Sequence, residues 1–157
     1  TGEAMGLAQN FGQAFAKSQM AVGSNLPKSG TLFISVKDSD KIKVLPICKK
    51  LLNLGFDIIA TKGTSKYLEI NNIKVTKINK VSEGRPHLVD AIKDGLVNII
   101  FNTTEGEQSI KESFSLRRAA LSANIPYYTT LAGSKAATEA IISLNKDELK
   151  VKSIQSY

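Results

Sequence analysis

Several residue patterns that would indicate a common class of protein are scarce in this chain of 157 residues. Cys48 is the only cysteine, so a disulfide framework is excluded. One cysteine and one histidine, His87, are also too few to form a Cys/His zinc site. No apolar run approaches the roughly 18 residues that a membrane-spanning helix requires. We therefore expect no metal and no membrane partner, and a reducing, cytoplasmic location.

Arginine and aromatic residues are also few, although the formal net charge is +7. Only three of the 21 basic residues are arginine, and aromatic residues make up 6% of the chain. Nucleic-acid-binding surfaces usually cluster lysine and arginine on one face, whereas the lysines here are scattered along the whole chain. We expect no nucleic-acid partner. Lysine is a good point-charge partner for phosphate, so the composition favours a small anionic ligand.

The short motifs of well-known nucleotide and hydrolase sites are missing as well. The chain has neither the Walker spacing, nor the dinucleotide glycine fingerprint, nor a Gly-x-Ser-x-Gly elbow. His87, at a predicted helix start, is expected to be a hydrogen-bonded structural residue, not a catalyst. Cys48 falls on the apolar stripe of its helix, so we expect a buried, inert thiol.

From Thr31 onward, short apolar runs alternate with segments of helical periodicity. The predicted strands cover residues 32–36, 56–60, 75–78, 97–101 and 126–129. The predicted helices cover about 40–54, 64–71, 86–94, 108–123 and 134–144. Such alternation is typical of a parallel sheet covered on both faces. The sequence predicts a small doubly wound α/β domain of about five strands in three Rossmann-type layers, with a further edge strand at 151–154.

Residues 1–30 have a different pattern. Asn10 is a candidate cap for one helix that ends near Gly23, and residues 23–30 are rich in turn formers. One helix cannot build a core, so this segment either packs on the domain at 31–157 or is the tail of a preceding domain. Because the chain begins with Thr1, we expect a piece of a longer protein.

Polar residues follow the predicted strands at their carboxyl ends, where open α/β sheets bind ligands. Thr61-Lys62-Gly63-Thr64 follows the second strand, with Gly63 expected to permit a tight turn. Asn102-Thr103-Thr104 follows the fourth strand, and Lys41 and Lys80 follow the first and third. The helix start after Thr61 adds free N–H groups for an anion. These residues predict one nucleotide or phosphate site, although helix capping by Thr64 or Ser65 and solvated surface lysines are the simpler alternatives.

Six segments in the same order carry a resemblance to a known family. They are residues 33–41, 60–64, 79–87, 102–104, 117–120 and 129–133. Together they resemble the C-terminal allosteric domain of the bacterial carbamoyl-phosphate synthase large subunit, which has a methylglyoxal-synthase-like fold. Residues 1–30 resemble the end of the preceding synthetase domain plus a linker. The resemblance therefore covers nearly the whole chain.

The resemblance implies a regulatory role without chemistry of its own. The parent enzyme makes carbamoyl phosphate from glutamine, bicarbonate and ATP, with Mg or Mn, for pyrimidine and arginine synthesis. Its allosteric domain binds UMP as inhibitor, IMP at an overlapping site, and ornithine as activator. The implied protein partners are the rest of the large subunit and the glutaminase small subunit. No cofactor is expected in this chain, and self-association through Arg117, Arg118 and the first helix stays open.

Carried over by position, the resemblance assigns residues to two effectors. The nucleotide or phosphate site would contain Ser35, Lys41, Thr61, Thr64, Lys80, Asn102 and Thr104. Thr129 is the candidate contact for ornithine. No catalytic residue is assigned. The alternative is a methylglyoxal synthase acting on dihydroxyacetone phosphate, for which Glu83 would have to replace the aspartates of that family.

Overall fold

The computed structural model describes residues 3–103, 105 and 107–156, leaving out the side chains of 107–112. The helices are α1 (Phe11–Ala21), α2 (Lys41–Asn53), α3 (Lys62–Ile70), α4 (Leu88–Lys93), α5 (Glu107–Ser122) and α6 (Leu131–Lys146). The strands are β1 (Thr31–Ser35), β2 (Asp57–Ala60), β3 (Thr76–Lys77), β4 (Ile99–Asn102) and β5 (Tyr127–Tyr128). Short 3₁₀ turns lie at Asp38–Asp40, Val81–Glu83 and Ile154–Ser156.

The five strands form one sheet in the order β3-β2-β1-β4-β5, and every pairing is parallel. The register pairs Ser35 with Asn102 and Ile34 with Ala60, so β1, β2 and β4 end at nearly the same level. The chain runs outward from β1 to β3 and then returns to β4 on the other side of β1. The predicted doubly wound α/β fold is confirmed, and its strand order reverses between β1 and β4.

The sheet is buried on both faces because its strands are almost continuously apolar. Leu32 and Ile34 pack with α2, α3 and α6 on one face, whereas Phe33 and Ile100 pack with α4 and α5 on the other. Fully burying a Leu, Ile or Phe side chain contributes roughly 1.5–3 kcal/mol. The two apolar clusters therefore pack against both faces of the three central strands and hold the strand ends in fixed positions.

Three predictions about local structure differ from the observed fold. Helix α3 begins two residues early, at Lys62. Pro86 lies before α4, because His87 caps that helix: His87 Nδ1 accepts from the Asp90 N–H at 3.4 Å, and the Asp90 carboxylate accepts from the His87 N–H at 3.1 Å. The predicted strand at 151–154 is wrong. Val151 is 96% exposed, so the burial that stabilises a strand is missing.

Helix α1 packs back onto the domain, mainly along α6. The Asn10 side chain caps it by accepting from the Gln13 N–H at 2.9 Å, as predicted. Gly12 and Ala16 are buried in the contact, and Tyr128 donates a hydrogen bond of 2.9 Å to Gln19 Oε1. Of the two alternatives for this helix, packing on the following domain is observed. The boundary at residue 30 stays a prediction.

Replacing Gly12 with alanine is expected to lower the free energy of unfolding by about 1–3 kcal/mol, the usual cost of overpacking. An added Cβ would lie 2.6 Å from the Glu139 carbonyl oxygen on α6, so α1 would have to move. Helix propensity alone would raise the free energy of unfolding, because alanine is favoured over glycine in a helix by up to ~1 kcal/mol. Urea denaturation measures the sign. Met20→Ala, at an exposed position of the same helix, is the control; stabilisation by Gly12→Ala would contradict close packing of α1 on α6.

Candidate functional site

A cavity of about 410 Å³ lies beyond the carboxyl ends of β1, β2 and β4. This is the place where the strand order reverses, and open α/β sheets bind ligands in such a crevice. Its volume is within the range of small-molecule sites. The lining consists of Phe33, Ser35, Val36, Lys37, Asp38, Lys41, Thr61, Gly63, Thr64, Lys80, Val81, Leu88, Val89, Asn102, Thr103, Glu105, Ser113 and Leu116.

Six of the predicted nucleotide-site residues line this one cavity. They are Ser35, Lys41, Thr61, Thr64, Lys80 and Asn102. The seventh, Thr104, lies outside the described residues. Thr129 follows β5, is exposed, and is not among the cavity residues. The parallel register of β1, β2 and β4 brings residues far apart in sequence to one edge of the sheet.

Hydroxyl groups connect the loops that surround the cavity. Ser35 Oγ and Thr61 Oγ1 share a hydrogen bond of 2.9 Å between the ends of β1 and β2. Thr64 Oγ1 accepts from the Val36 N–H at 3.2 Å, and Thr103 Oγ1 accepts from the Lys37 N–H at 3.2 Å. These bonds tie the loop after β1 to the loops after β2 and β4. The cavity wall is therefore preorganised.

The start of α3 forms part of this wall. Thr61 occupies the N-cap position, but its side chain makes no capping bond and contacts Ser35 instead. The predicted alternative, capping of this helix by Thr64 or Ser65, is wrong: both residues lie inside α3, where Thr64 Oγ1 accepts from the Val36 N–H and Ser65 Oγ donates to the Lys62 carbonyl. Gly63 lies in the first helical turn, so the tight turn expected of it is not needed. A Cβ at Gly63 would lie 3.8 Å from Lys41 Nζ, which places this glycine beside the lysine head group.

The cavity has more charged groups than the sequence predicted. Lys37 joins Lys41 and Lys80, and the carboxylates of Asp38 and Glu105 also line it. Lys41 Nζ lies 2.7 Å from Asp38 Oδ1; the lysine side chain is 20% exposed and the aspartate 93% exposed. An ion pair this open to water contributes little stability, so an incoming anion can replace Asp38. Lys37 could have been predicted as a site residue from the sequence, because it lies after β1 in the same way that Thr61 lies after β2.

One side of the cavity is apolar. Phe33 of β1, Leu88 and Val89 of α4, and Leu116 of α5 contribute to it, together with Val81. The lysines and hydroxyls lie at the strand ends and in the segments that follow them, so the cavity has a cationic part and an apolar part. Sequence reasoning missed the apolar part, because the predicted site was assembled only from polar residues near the strand ends. Both parts together suit a phosphate attached to an organic group.

Asn102 is held from the side of β5. Its Nδ2 donates a hydrogen bond of 2.6 Å to the Tyr127 hydroxyl. The guanidinium carbon of Arg117 lies 5.9 Å from the centre of the Tyr127 ring. Asn102 lines the cavity but Tyr127 does not. This contact was not predicted, because it depends on the pairing of β4 with β5.

The remaining candidate residues serve the fold. His87 caps α4 and is not among the cavity residues. Cys48 is fully buried, and burial raises the pKa of its thiol to about 12, so the thiol stays neutral near pH 7. Within the described part of the chain, no three His, Cys, Asp or Glu side chains come together as a metal site. No described helix is both long enough and apolar enough to cross a bilayer.

The fold agrees with the sequence comparisons. The chain belongs to the MGS-like domain family, whose model matches residues 43–129. Over all of its 157 residues it is 52% identical to the carbamoyl phosphate synthase large chain of Mesorhizobium japonicum and 48% identical to that of Brucella suis. The large chain of Methanobrevibacter smithii is 46% identical over the same length.

The chain spans only 14–15% of the length of these relatives. The predicted resemblance to carbamoyl phosphate synthase large chains is confirmed along the whole chain, and that to the MGS-like domain over residues 43–129. The activity named for the relatives belongs to much longer proteins.

Proposed function

We propose that this chain is the regulatory domain of a carbamoyl phosphate synthase large chain and that it binds UMP or IMP in the cavity at the strand ends. The observation that carries the proposal is that six residues, which lie at or beyond the carboxyl ends of four different strands, line one cavity of about 410 Å³. Lys41 and Lys80 are proposed to hold the phosphate with the hydroxyls of Thr61 and Thr64. Asn102 and Thr104 would contact the nucleoside.

The two-part lining supports a nucleotide over a simple phosphate. A phosphate group fits beside the lysines and the N-terminus of α3, where free N–H groups and the helix dipole favour anions. A base or sugar would contact the apolar part formed by Phe33, Leu88 and Leu116. Inorganic phosphate would leave this apolar part unused, so we expect it to bind much more weakly.

The parent protein is proposed to be a glutamine-hydrolysing, ATP-dependent ligase of the cytoplasm that uses Mg or Mn with ATP. Its product would serve pyrimidine and arginine synthesis, and its partners would be the remaining large subunit and the glutaminase small subunit. Thr129 is the proposed ornithine contact. It is exposed at the end of β5. Most ornithine contacts are proposed to lie on the synthetase domain of the parent protein, so this chain alone is expected to bind ornithine poorly.

The alternative is methylglyoxal synthase chemistry on dihydroxyacetone phosphate. Proton abstraction needs a carboxylate within hydrogen-bond reach of the substrate. Glu83 Oε2 accepts from the Lys80 N–H at 2.9 Å, and Glu83 is not among the cavity residues. Asp38 contacts Lys41, so the exposed Glu105 would have to act as the base. These positions favour binding without catalysis.

Calorimetric titration of the purified chain with UMP and with IMP tests the proposal. We expect saturable binding of one nucleotide per chain and weaker binding of inorganic phosphate. In parallel, incubation with dihydroxyacetone phosphate is expected to yield no methylglyoxal. Absence of heat with both nucleotides at millimolar concentration would reject the regulatory assignment, and methylglyoxal formation would favour the enzyme.

A further inference from the structure

The contact between Asn102 and Tyr127 follows from the geometry of the β4–β5 pair. The register places Ile100 opposite Tyr127. Side chains two residues apart on a strand share a face, so Asn102 lies on the same face as Ile100, one step further along. Diagonal neighbours on a sheet are within reach of aromatic side chains. The Tyr127 hydroxyl accordingly accepts from Asn102 Nδ2 at 2.6 Å, at the rim of the cavity.

This bond fixes which part of the Asn102 side chain is used for the fold. An amide group offers two N–H donors on one end and an accepting oxygen on the other. With one Nδ2 N–H bonded to Tyr127, the second N–H remains as a donor and Oδ1 remains as the acceptor for a ligand. A phosphate oxygen is itself an acceptor and cannot pair with Oδ1. The group that pairs with Oδ1 must therefore be an N–H or O–H on the organic part of the ligand.

Tyr127 is itself held in place. Its ring packs partly buried against the apolar cluster that contains Phe33 and Ile100. The guanidinium of Arg117 lies against the ring, with 5.9 Å from its carbon to the ring centre, an arrangement that contributes roughly 0.5–1 kcal/mol at exposed sites. These contacts hold the ring in place, and the ring positions the Tyr127 hydroxyl next to Asn102.

We propose that Tyr127 is a positioning residue for effector specificity: it holds the Asn102 amide so that Oδ1 accepts from a hydroxyl or N–H of a phosphate ester. The inference rests on the proposed nucleotide-binding function and deepens it. Tyr127 lies outside the cavity lining and acts through Asn102. In this arrangement Lys41 and Lys80 bind the charged phosphate, and Asn102 binds the organic group of the ligand.

The test is a double-mutant cycle with Tyr127→Phe and Asn102→Ala, measured by calorimetry with UMP and with IMP. Tyr127→Phe removes only the hydroxyl and is expected to weaken binding of the preferred nucleotide by about threefold to tenfold, the effect of one hydrogen bond. In the Asn102→Ala background it is expected to have no further effect, because coupled residues are not additive. The affinity for inorganic phosphate, measured by its competition with the nucleotide, is expected to change less than about twofold.

Tyr128→Phe is the matched control. It removes the neighbouring hydroxyl, which donates to Gln19 on α1, and Tyr128 is not among the cavity residues, so nucleotide affinity should stay within about twofold. A second measurement needs no variant. In the ¹H–¹⁵N spectrum of the wild-type chain, the Asn102 side-chain amide should have one proton that is shifted downfield and protected from exchange.

Three outcomes overturn the role of Tyr127 while leaving nucleotide binding intact. One is an equal effect of Tyr127→Phe with and without Asn102. The second is an equal loss of phosphate and nucleotide affinity, and the third is an unprotected Asn102 amide. If wild-type protein binds neither UMP nor IMP, the proposed function fails first and the role of Tyr127 fails with it.

Discussion

The double variant Lys41→Met/Lys80→Met is expected to lose nucleotide binding by a factor of about 100 or more, whereas each single variant loses about tenfold. Both lysines line the cavity, one from the start of α2 and one from the segment after β3. A hydrogen bond to a charged group contributes about 1.5–3 kcal/mol, and tenfold in affinity corresponds to about 1.4 kcal/mol. Calorimetry with UMP and IMP measures the loss.

Lys49→Met is the matched control for this prediction. It removes a positive charge from the same helix, α2, at an exposed position that is not among the cavity residues. We expect nucleotide affinity within about twofold of wild type. Thermal unfolding of each variant separates lost binding from lost folding, because exposed ion pairs such as Lys41–Asp38 contribute little stability. Wild-type affinity in the double variant would place the phosphate site elsewhere.

The second large effect is expected from Phe101→Ala, which should lower the free energy of unfolding by about 3–5 kcal/mol. Phe101 is fully buried in β4, between β1 and β5, and its ring meets that of Tyr128 edge-on at 5.9 Å. Domains of this size are stable by only about 5–15 kcal/mol. The variant should therefore lose a large fraction of its stability, measurable by urea denaturation.

Phe114→Ala makes the same chemical change at an exposed position. The Phe114 side chain on α5 is 69% exposed, so its removal is expected to change stability by no more than about 0.5 kcal/mol. Because both variants replace phenylalanine with alanine, the difference between their losses of stability measures the effect of burial. Equal losses at both positions would mean that β4 is not the centre of the core.

The sheet and its helices were largely predictable, because burial on both faces leaves a clear sequence pattern. β1, β2 and β4 are short apolar runs, and glycine residues end the helices before them. β3 was predictable despite its lysine, since Thr76–Lys77 lies at the edge of the sheet and is exposed. The segment 151–154 has similar residue types, but β-propensity does not tell whether a neighbouring strand is present to pair with it.

The site was predictable only where it depends on strand ends. Parallel strands bring their carboxyl ends to one edge, so Thr61, Lys80 and Asn102 could be grouped before the fold was known. Ser35 was assigned only through the family resemblance. The contact of Tyr127 with Asn102 could not, because it needs the β4–β5 register. The apolar part of the cavity could not be predicted either, because Leu88 both packs in the core and lines the cavity.

The packing of α1 on α6 affects how this domain should be produced. A fragment trimmed to begin at Thr31 would uncover the side of α6 that Gly12 and Ala16 now contact, together with the Tyr128 hydroxyl that Gln19 accepts from. Newly exposed apolar surface of this kind promotes self-association. Expression boundaries for crystallisation or ligand screening therefore belong upstream of Asn10, even where the ligand cavity alone is of interest.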